Sequence, residues 1–129
     1  MVRLGVPMAK VLVVDDSLFT RLNICKMLHE AGHETIEAAN GQEGLIKVSS
    51  DKPDVILSDL LMPELDGIGF LNALRENNVD LPVVIISADI QATKRQQCLT
   101  LGTAAFVNKP PRKQEIQAVI AQILTSGTS

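Results

Sequence analysis

Three aspartates, a serine and a lysine stand out in this 129-residue chain because each closes, or lies just beyond, a short apolar run. Asp15 and Asp16 follow Lys10–Val14 (KVLVV), and Asp59 stands just past residues 54–57 (DVIL). Ser87 follows residues 82–86 (PVVII), and Asn108 with Lys109 follows residues 104–107 (AAFV). If the runs are strands of one parallel sheet, their carboxyl ends share an edge, where open α/β sheets bind ligands. Three carboxylates gathered there repel one another unless compensated, and Lys109 offsets only one. A hard divalent cation is the natural remedy: all-oxygen donors suit Mg²⁺, which prefers octahedral geometry and keeps several waters. Carboxylates around a metal, facing a hydroxyl and an ammonium, are the equipment of phosphoryl transfer. Asp59 would attack in line, while the metal, Lys109 and Ser87 meet charge on the equatorial oxygens. Plainer roles exist: Asp15, Asp16 and Ser17 as helix caps, Asp59 as a loop residue, Lys109 as a surface lysine. They would all have to hold at successive strand ends.

The elements that must position these residues are legible in the hydrophobic pattern. Runs at 10–14, 54–57 and 82–86 are almost continuously apolar and rich in Val and Ile, as strands are when helices cover both faces of a parallel sheet. The run at 33–38 (HETIEA) alternates and carries charge, which places it nearer an edge. Between runs the period becomes helical, with one stripe of Leu18, Leu22, Cys25 and Leu28 and another of Ile116, Val119, Ile120, Ile123 and Leu124. Gly32 and Gly102 stand where C-terminal caps are wanted. Asn40 with Glu43 resembles a capping box, and Asp66 can cap a third helix. Pro111 suits the first turn of the last helix. Strand then helix, five times, predicts a doubly wound parallel sheet with helices on both faces. The flavodoxin-like order 2-1-3-4-5 is the expected topology.

The bulk properties narrow the function classes. The length fits one domain, and a formal charge of −3 argues against direct nucleic-acid binding or an anionic membrane surface as the main task. Tyr and Trp are absent, so the usual aromatic platforms for single-stranded nucleic acid are missing. No apolar run approaches the ~18 residues that would span a bilayer, and the first ten residues lack a secretory pattern. A cytoplasmic location is expected. Cys25 and Cys98 are too few and too far apart for a metal or disulfide framework and read as reduced, packed thiols. His29 and His33, either side of Gly32, read as solvated.

In combination, Asp15-Asp16, Asp59 with Met62-Pro63 and Asp66-Gly67, Ser87-Ala88, and the run from Phe106 to Lys109-Pro110 carry a family resemblance. Over residues 9–124 the chain resembles the receiver domains of bacterial two-component response regulators, of the single-domain chemotaxis Y-protein type. The resemblance implies a receiver domain over residues 9–125, with a disordered tail at 1–8 and a short tail at 126–129. It implies a switch, not a turnover enzyme, with Asp59 as phosphoacceptor and Asp16 as a direct Mg²⁺ ligand. Asp15 would act partly through water, and Asp59 with the backbone carbonyl of Leu61 would complete the protein's ligands. Lys109 would pair with the phosphoryl group, Ser87 would move to bond it, and Phe106 would turn inward behind Ser87. A cis Lys109–Pro110 bond is expected. Two departures stand out: Ser87 occupies a position where Thr is commoner, and Leu61 and Asp89 occupy positions that tune phosphoryl loss.

The implied phosphodonor is a sensor histidine kinase or a phosphotransfer protein. The implied output is a separate target protein, with chemotaxis as the expected process, met by a monomer through the helix at about residues 92–101, the strand holding Phe106 and the final helix from Arg112, where Lys94, Arg95, Gln97 and Lys113 are expected. Three rival readings fit the residues less well. A magnesium-dependent hydrolase would need an acid/base near Asp59, where only Leu61 stands. A nucleotide-binding protein would need a Gly-rich or Walker loop after the first strand, and none is there. A degenerate receiver would lack the acidic set.

Overall fold

The structure, a computed structural model, describes residues 8–62, 65–88 and 91–126. Five strands alternate with five helices: β1 Lys10–Val14, α1 Leu18–Glu30, β2 Glu34–Ala38, α2 Gly41–Asp51, β3 Val55–Asp59, α3 Gly67–Glu76, β4 Val83–Ser87, α4 Ala92–Thr100, β5 Ala105–Asn108 and α5 Lys113–Ser126. All strand pairs are parallel and the order is β2-β1-β3-β4-β5, the flavodoxin-like topology read from the sequence. The charged run forms the edge strand β2. Alternation along the central strands splits the core. Val11, Val13, Val55, Leu57, Val84 and Ile86 face α1 and α5, where Ile24, Leu28, Ile116 and Ile120 meet them. Leu12, Val14, Ile56, Val83 and Ile85 face the opposite layer, with Phe70, Leu71, Leu74 and Cys98. Among the described residues, no helix is long and apolar enough to cross a membrane.

The helix boundaries obey capping chemistry. Ser17, Asn40 and Asp66 each accept a backbone N–H from the first turn of α1, α2 and α3, at 3.3, 2.8 and 2.8 Å. Gly32 and Gly102 follow α1 and α4 with φ of +91° and +82°, a left-handed conformation that glycine adopts without steric cost. Pro111 does not open the last helix as expected. The Arg112 carbonyl accepts from Ile116 N–H at 2.9 Å, so α5 begins at Lys113 and Pro111 lies outside it. The expectations for residues 1–7 and 127–129 lie outside the described residues; α5 itself reaches Ser126.

Two readings of the α1 region are corrected. Leu18 and Leu22 are more than half exposed, whereas Ile24, Cys25 and Leu28 are buried. The helix turns the 21-24-25-28 arc inward, and Leu18 and Leu22 fall on its flank. His33 is not solvated: it is 5% exposed, and its Nδ1 accepts the Ala9 N–H at 3.0 Å. Both cysteines are free and buried, as expected.

Burial lowers the His33 pKa below 6.5, and a protonated Nδ1 could not accept the Ala9 bond. The unfolded chain binds a proton near pH ~6.5. His33 therefore contributes stability that is present above that pH and is lost as pH falls through its lower folded value. The melting temperature of the wild type should accordingly fall more steeply between pH 7 and 5, as about the range in which histidine titrates, than that of His33→Gln. Parallel curves in circular-dichroism melts would contradict this.

Candidate functional site

The parallel register carries five chemically able residues to one edge. Asp59 pairs with Ile86 across β3 and β4, and Ser87 pairs with Asn108 across β4 and β5. The Leu60 N–H donates to the Ile86 carbonyl (3.2 Å) and the Lys109 N–H to the Ser87 carbonyl (2.9 Å), so both exits are tied to β4. The Lys109–Pro110 peptide bond is cis, as the resemblance implied.

The Lys109 ammonium lies 3.2 Å from Asp15 Oδ2 and 3.1 Å from Asp59 Oδ2. Asp15 is 2% exposed, Asp59 8% and Ser87 6%, while Asp16 is exposed. One ligand oxygen from each of Asp15, Asp16 and Asp59 fits within 4.8 Å of the others. The site is a buried acidic floor with one solvent-facing carboxylate at its mouth, suited to a hard cation that keeps waters. Both Asp15 oxygens are engaged, since Oδ1 accepts the Ser17 N–H at 2.8 Å and Oδ2 meets Lys109. Burial, and then Asp15, push the Asp59 pKa up, against the opposing pull of Lys109. Burial alone would lower the Lys109 pKa, but Asp59 and Asp15 reverse this, so it lies above its usual value and the ammonium is fixed as a cation.

Sequence reasoning missed the supports of this floor. Arg21, one turn into α1, donates from a terminal guanidinium nitrogen to the Asp15 carbonyl at 2.7 Å and from Nε to Glu37 Oε1 at 2.9 Å. No periodicity marks it: an arginine near a helix start reads as solvated. Gly67 has a steric reason to be glycine, because a Cβ there would lie 2.6 Å from the Asp59 carbonyl oxygen and 2.9 Å from Leu60 Cα. Its N–H donates to the Leu60 carbonyl at 2.8 Å, so α3 begins directly against the exit of β3.

Phe106 is half-buried, packed against the layer that includes Leu101 and Ile85, with the Arg95 guanidinium carbon 4.3 Å from its ring centroid. Lys94 is half-buried and Gln97 exposed on α4. Lys113 does not join them: its ammonium pairs with Glu30 of α1 at 2.7 Å. A charge at the start of α5 reaches the neighbouring α1, not the α4 side. Leu61 exposes its side chain beside Asp59, and Asp89 lies outside the described residues.

The sequence profile of the response regulator receiver domain matches residues 11–121. Over 113 residues the chain is 39% identical to a protein-glutamate methylesterase/protein-glutamine glutaminase of Clostridium acetobutylicum, covering 83% of this chain and 32% of that protein. Over 117 residues it is 34% identical to the alkaline phosphatase synthesis transcriptional regulatory protein PhoP of Bacillus subtilis, covering 89% of this chain and 48% of that protein. The chain thus spans about a third to a half of the length of these curated relatives. Among solved structures it resembles the receiver domain of the Francisella response regulator 1452 (TM-score 0.84, 34% identity, 94% of this chain and 99% of that one). It also resembles the Vibrio cholerae chemotaxis protein CheY4 (TM-score 0.81, 31% identity, 93% and 98%).

The raised Asp59 pKa means that the metal-free fold disfavours the ionised carboxylate. Its contribution to stability is complete below the unfolded pKa and is lost as pH rises through the folded one. Without metal at neutral pH, Asp59→Asn should therefore melt above wild type, by roughly 3–5 °C for each kcal/mol of repulsion and desolvation relieved. Circular-dichroism melts in EDTA test this, and a lower melting temperature for the variant would contradict it.

Proposed function

The chain belongs to the response regulator receiver domain family, and we propose that its acidic edge accepts a phosphoryl group on Asp59, with Mg²⁺, from a histidine kinase or a phosphotransfer protein. Receiver domains are signalling switches of two-component systems, not turnover enzymes. The observation that carries the reading is the Lys109 ammonium shared between buried Asp15 and Asp59, beside exposed Asp16. The receiver unit is proposed to span residues 9–125.

Each residue's role follows from its partners. Asp15 has both oxygens committed and is proposed to act on the metal partly through water. Asp16, open to solvent, is proposed as the direct ligand, together with Asp59 and the Leu61 carbonyl. Mg²⁺, when bound, would neutralise the carboxylates and polarise the incoming phosphoryl oxygens. Asp59 supplies the nucleophile: its carboxylate oxygen forms the new O–P bond as the donor's P–N bond breaks, and the electron pair leaves with the donor imidazole. Lys109 holds positive charge beside the attacked phosphorus, and Ser87 offers its hydroxyl to an equatorial oxygen. Leu18, Phe19 and Leu22 lie exposed one to two turns from Asp16, with Phe19 at 81%. This apolar ridge fits an amphipathic helix of the phosphodonor, which must bring its histidine to Asp59.

Output is proposed to leave through α4, β5 and α5. Cys98 is the only fully buried residue of α4, so the helix is lightly anchored, and Arg95 over Phe106 joins it to β5. Movement of Ser87 toward the phosphoryl group and inward rotation of Phe106 would remove the seat on which Arg95 rests. A coupling of about 1–3 kcal/mol would change affinity for a separate target about 5–150-fold. The relatives' names divide among methylesterase, transcription and chemotaxis, so the process is proposed only as two-component signalling.

With Mg²⁺ and a small acyl-phosphate donor, mass spectrometry should show one phosphoryl group gained, located on Asp59, and Asp59→Asn should gain none there. Wild-type incorporation by the variant would refute the assignment. Adding beryllofluoride with Mg²⁺ should shift amide resonances beyond the site in 92–108 and α5. If those shifts instead run along α1 and leave 92–124 quiet, the output face is misassigned.

A further inference from the structure

We propose that Arg21 is a positioning residue for the metal and phosphoryl site, acting through the peptide that joins Asp15 to Asp16; the inference rests on the Mg²⁺ reading above. The guanidinium is largely buried, with 14% of its side chain exposed, and it is bound from two sides. One terminal nitrogen donates to the Asp15 carbonyl at 2.7 Å, while Nε is held by Glu37 Oε1 at 2.9 Å. Glu37 lies on edge strand β2, opposite Val13 of β1, so the residue whose carboxylate aims Arg21 is held at its backbone by the sheet. The Asp15 N–H donates to the Ala38 carbonyl at 3.1 Å. The backbone on both sides of the Asp15 side chain is therefore clamped, by β2 directly and by β2 through Arg21.

The Asp15 carbonyl belongs to the peptide whose nitrogen is that of Asp16. Rotating that peptide would swing the Asp16 carboxylate relative to that of Asp15. Asp15 has separate anchors in Ser17 N–H and Lys109, but no hydrogen bond among those described holds the exposed Asp16 carboxylate. The point from which it reaches the site is set by its backbone, and the carbonyl of the adjoining peptide is what Arg21 grips. A planar guanidinium suits this task because its donors are fixed in a fork; lysine could satisfy Glu37 or the carbonyl but not both in this geometry.

The sign of the effect separates positioning from simple charge. Removing a cation near an acidic cluster raises the local negative potential and would tighten Mg²⁺ binding. Loss of a positioning contact would weaken it, typically about 10–100-fold for partners behind a metal ligand. The test is Mg²⁺ titration by calorimetry and by amide shifts of wild type, Asp16→Asn, Arg21→Met and Arg21→Lys. The double variant Arg21→Met with Glu37→Gln avoids leaving the half-buried Glu37 carboxylate without its partner and keeps the test valid if the single variant folds poorly.

Wild-type binding that is lost in Asp16→Asn supports the metal reading, and its absence overturns that reading. Given wild-type binding, at least about tenfold weaker Mg²⁺ affinity in folded Arg21→Met or the double variant, with Arg21→Lys between them and wild type, is the expected result. Unchanged or tighter binding in the folded variants would overturn the role of Arg21 while leaving the metal reading intact.

Discussion

Two buried carboxylates share one ammonium at the carboxyl edge of the sheet, and the rest of the structure is arranged so that this crowding can exist. Two unit charges about 4 Å apart interact by about 4 kcal/mol at the effective dielectric near a protein surface. A single lysine cannot compensate three aspartates at such spacings. Lys109 therefore divides its attraction between Asp15 and Asp59, and the Asp59 pKa stays raised, by burial first and by Asp15 second, despite that attraction. On the proposed reading, the residual negative charge would provide affinity for a divalent cation, and through it for a phosphoryl group. A floor fully neutralised by protein would be more stable and would have no reason to bind either.

Such a floor requires a rigid frame, which explains why the strands beneath it are so uniformly apolar. Every residue of β3 and β4 is buried, and their alternating side chains are locked into the two helical layers. The repulsion can be held because it is opposed by two packed cores, where a fully buried aliphatic side chain contributes about 1.5–3 kcal/mol relative to exposure. The loops leaving the strands carry the chemistry but inherit their precision from short ties. Among these are the Lys109 and Leu60 N–H groups on β4 carbonyls, the Gly67 N–H on the Leu60 carbonyl, and the Arg21 guanidinium on the Asp15 carbonyl.

How much of this was readable from the sequence depended on whether a residue's role left a local pattern. Continuous Val and Ile runs declare covered strands, and chemistry-bearing residues after them need only the parallel topology to converge; hence Asp15, Asp59, Ser87 and Lys109 were accessible. Asn40 and Asp66 declare helix starts through their own side chains. Arg21 and His33 leave no such mark, because their partners, Glu37 with the Asp15 carbonyl and the Ala9 N–H, are distant in sequence or belong to the backbone. The α1 stripe misled for a related reason. Leu18 and Leu22 lie on the edge of the apolar arc, and only the docking angle of the helix decides whether that edge is covered.

The same angle gives α1 two unlike faces with one consequence. Its inner arc runs from Arg21 through Ile24, Cys25 and Leu28, so the residue that grips the Asp15 carbonyl sits at the site end of the packed stripe. Its outer flank offers Leu18, Phe19 and Leu22 to solvent. A partner helix laid on that flank would press on the element that carries Arg21, within one turn of the peptide joining Asp15 to Asp16. On the proposed reading, docking and site geometry would be coupled through this one helix with no additional moving part. α4, by contrast, is anchored by Cys98 and by Arg95 over Phe106, a lighter attachment that suits an element whose position must change. The two sides of the domain therefore differ in the physical property each proposed task needs: α1 buries Ile24, Cys25 and Leu28 where a donor would be received in register, and α4 buries Cys98 alone where a signal would be released.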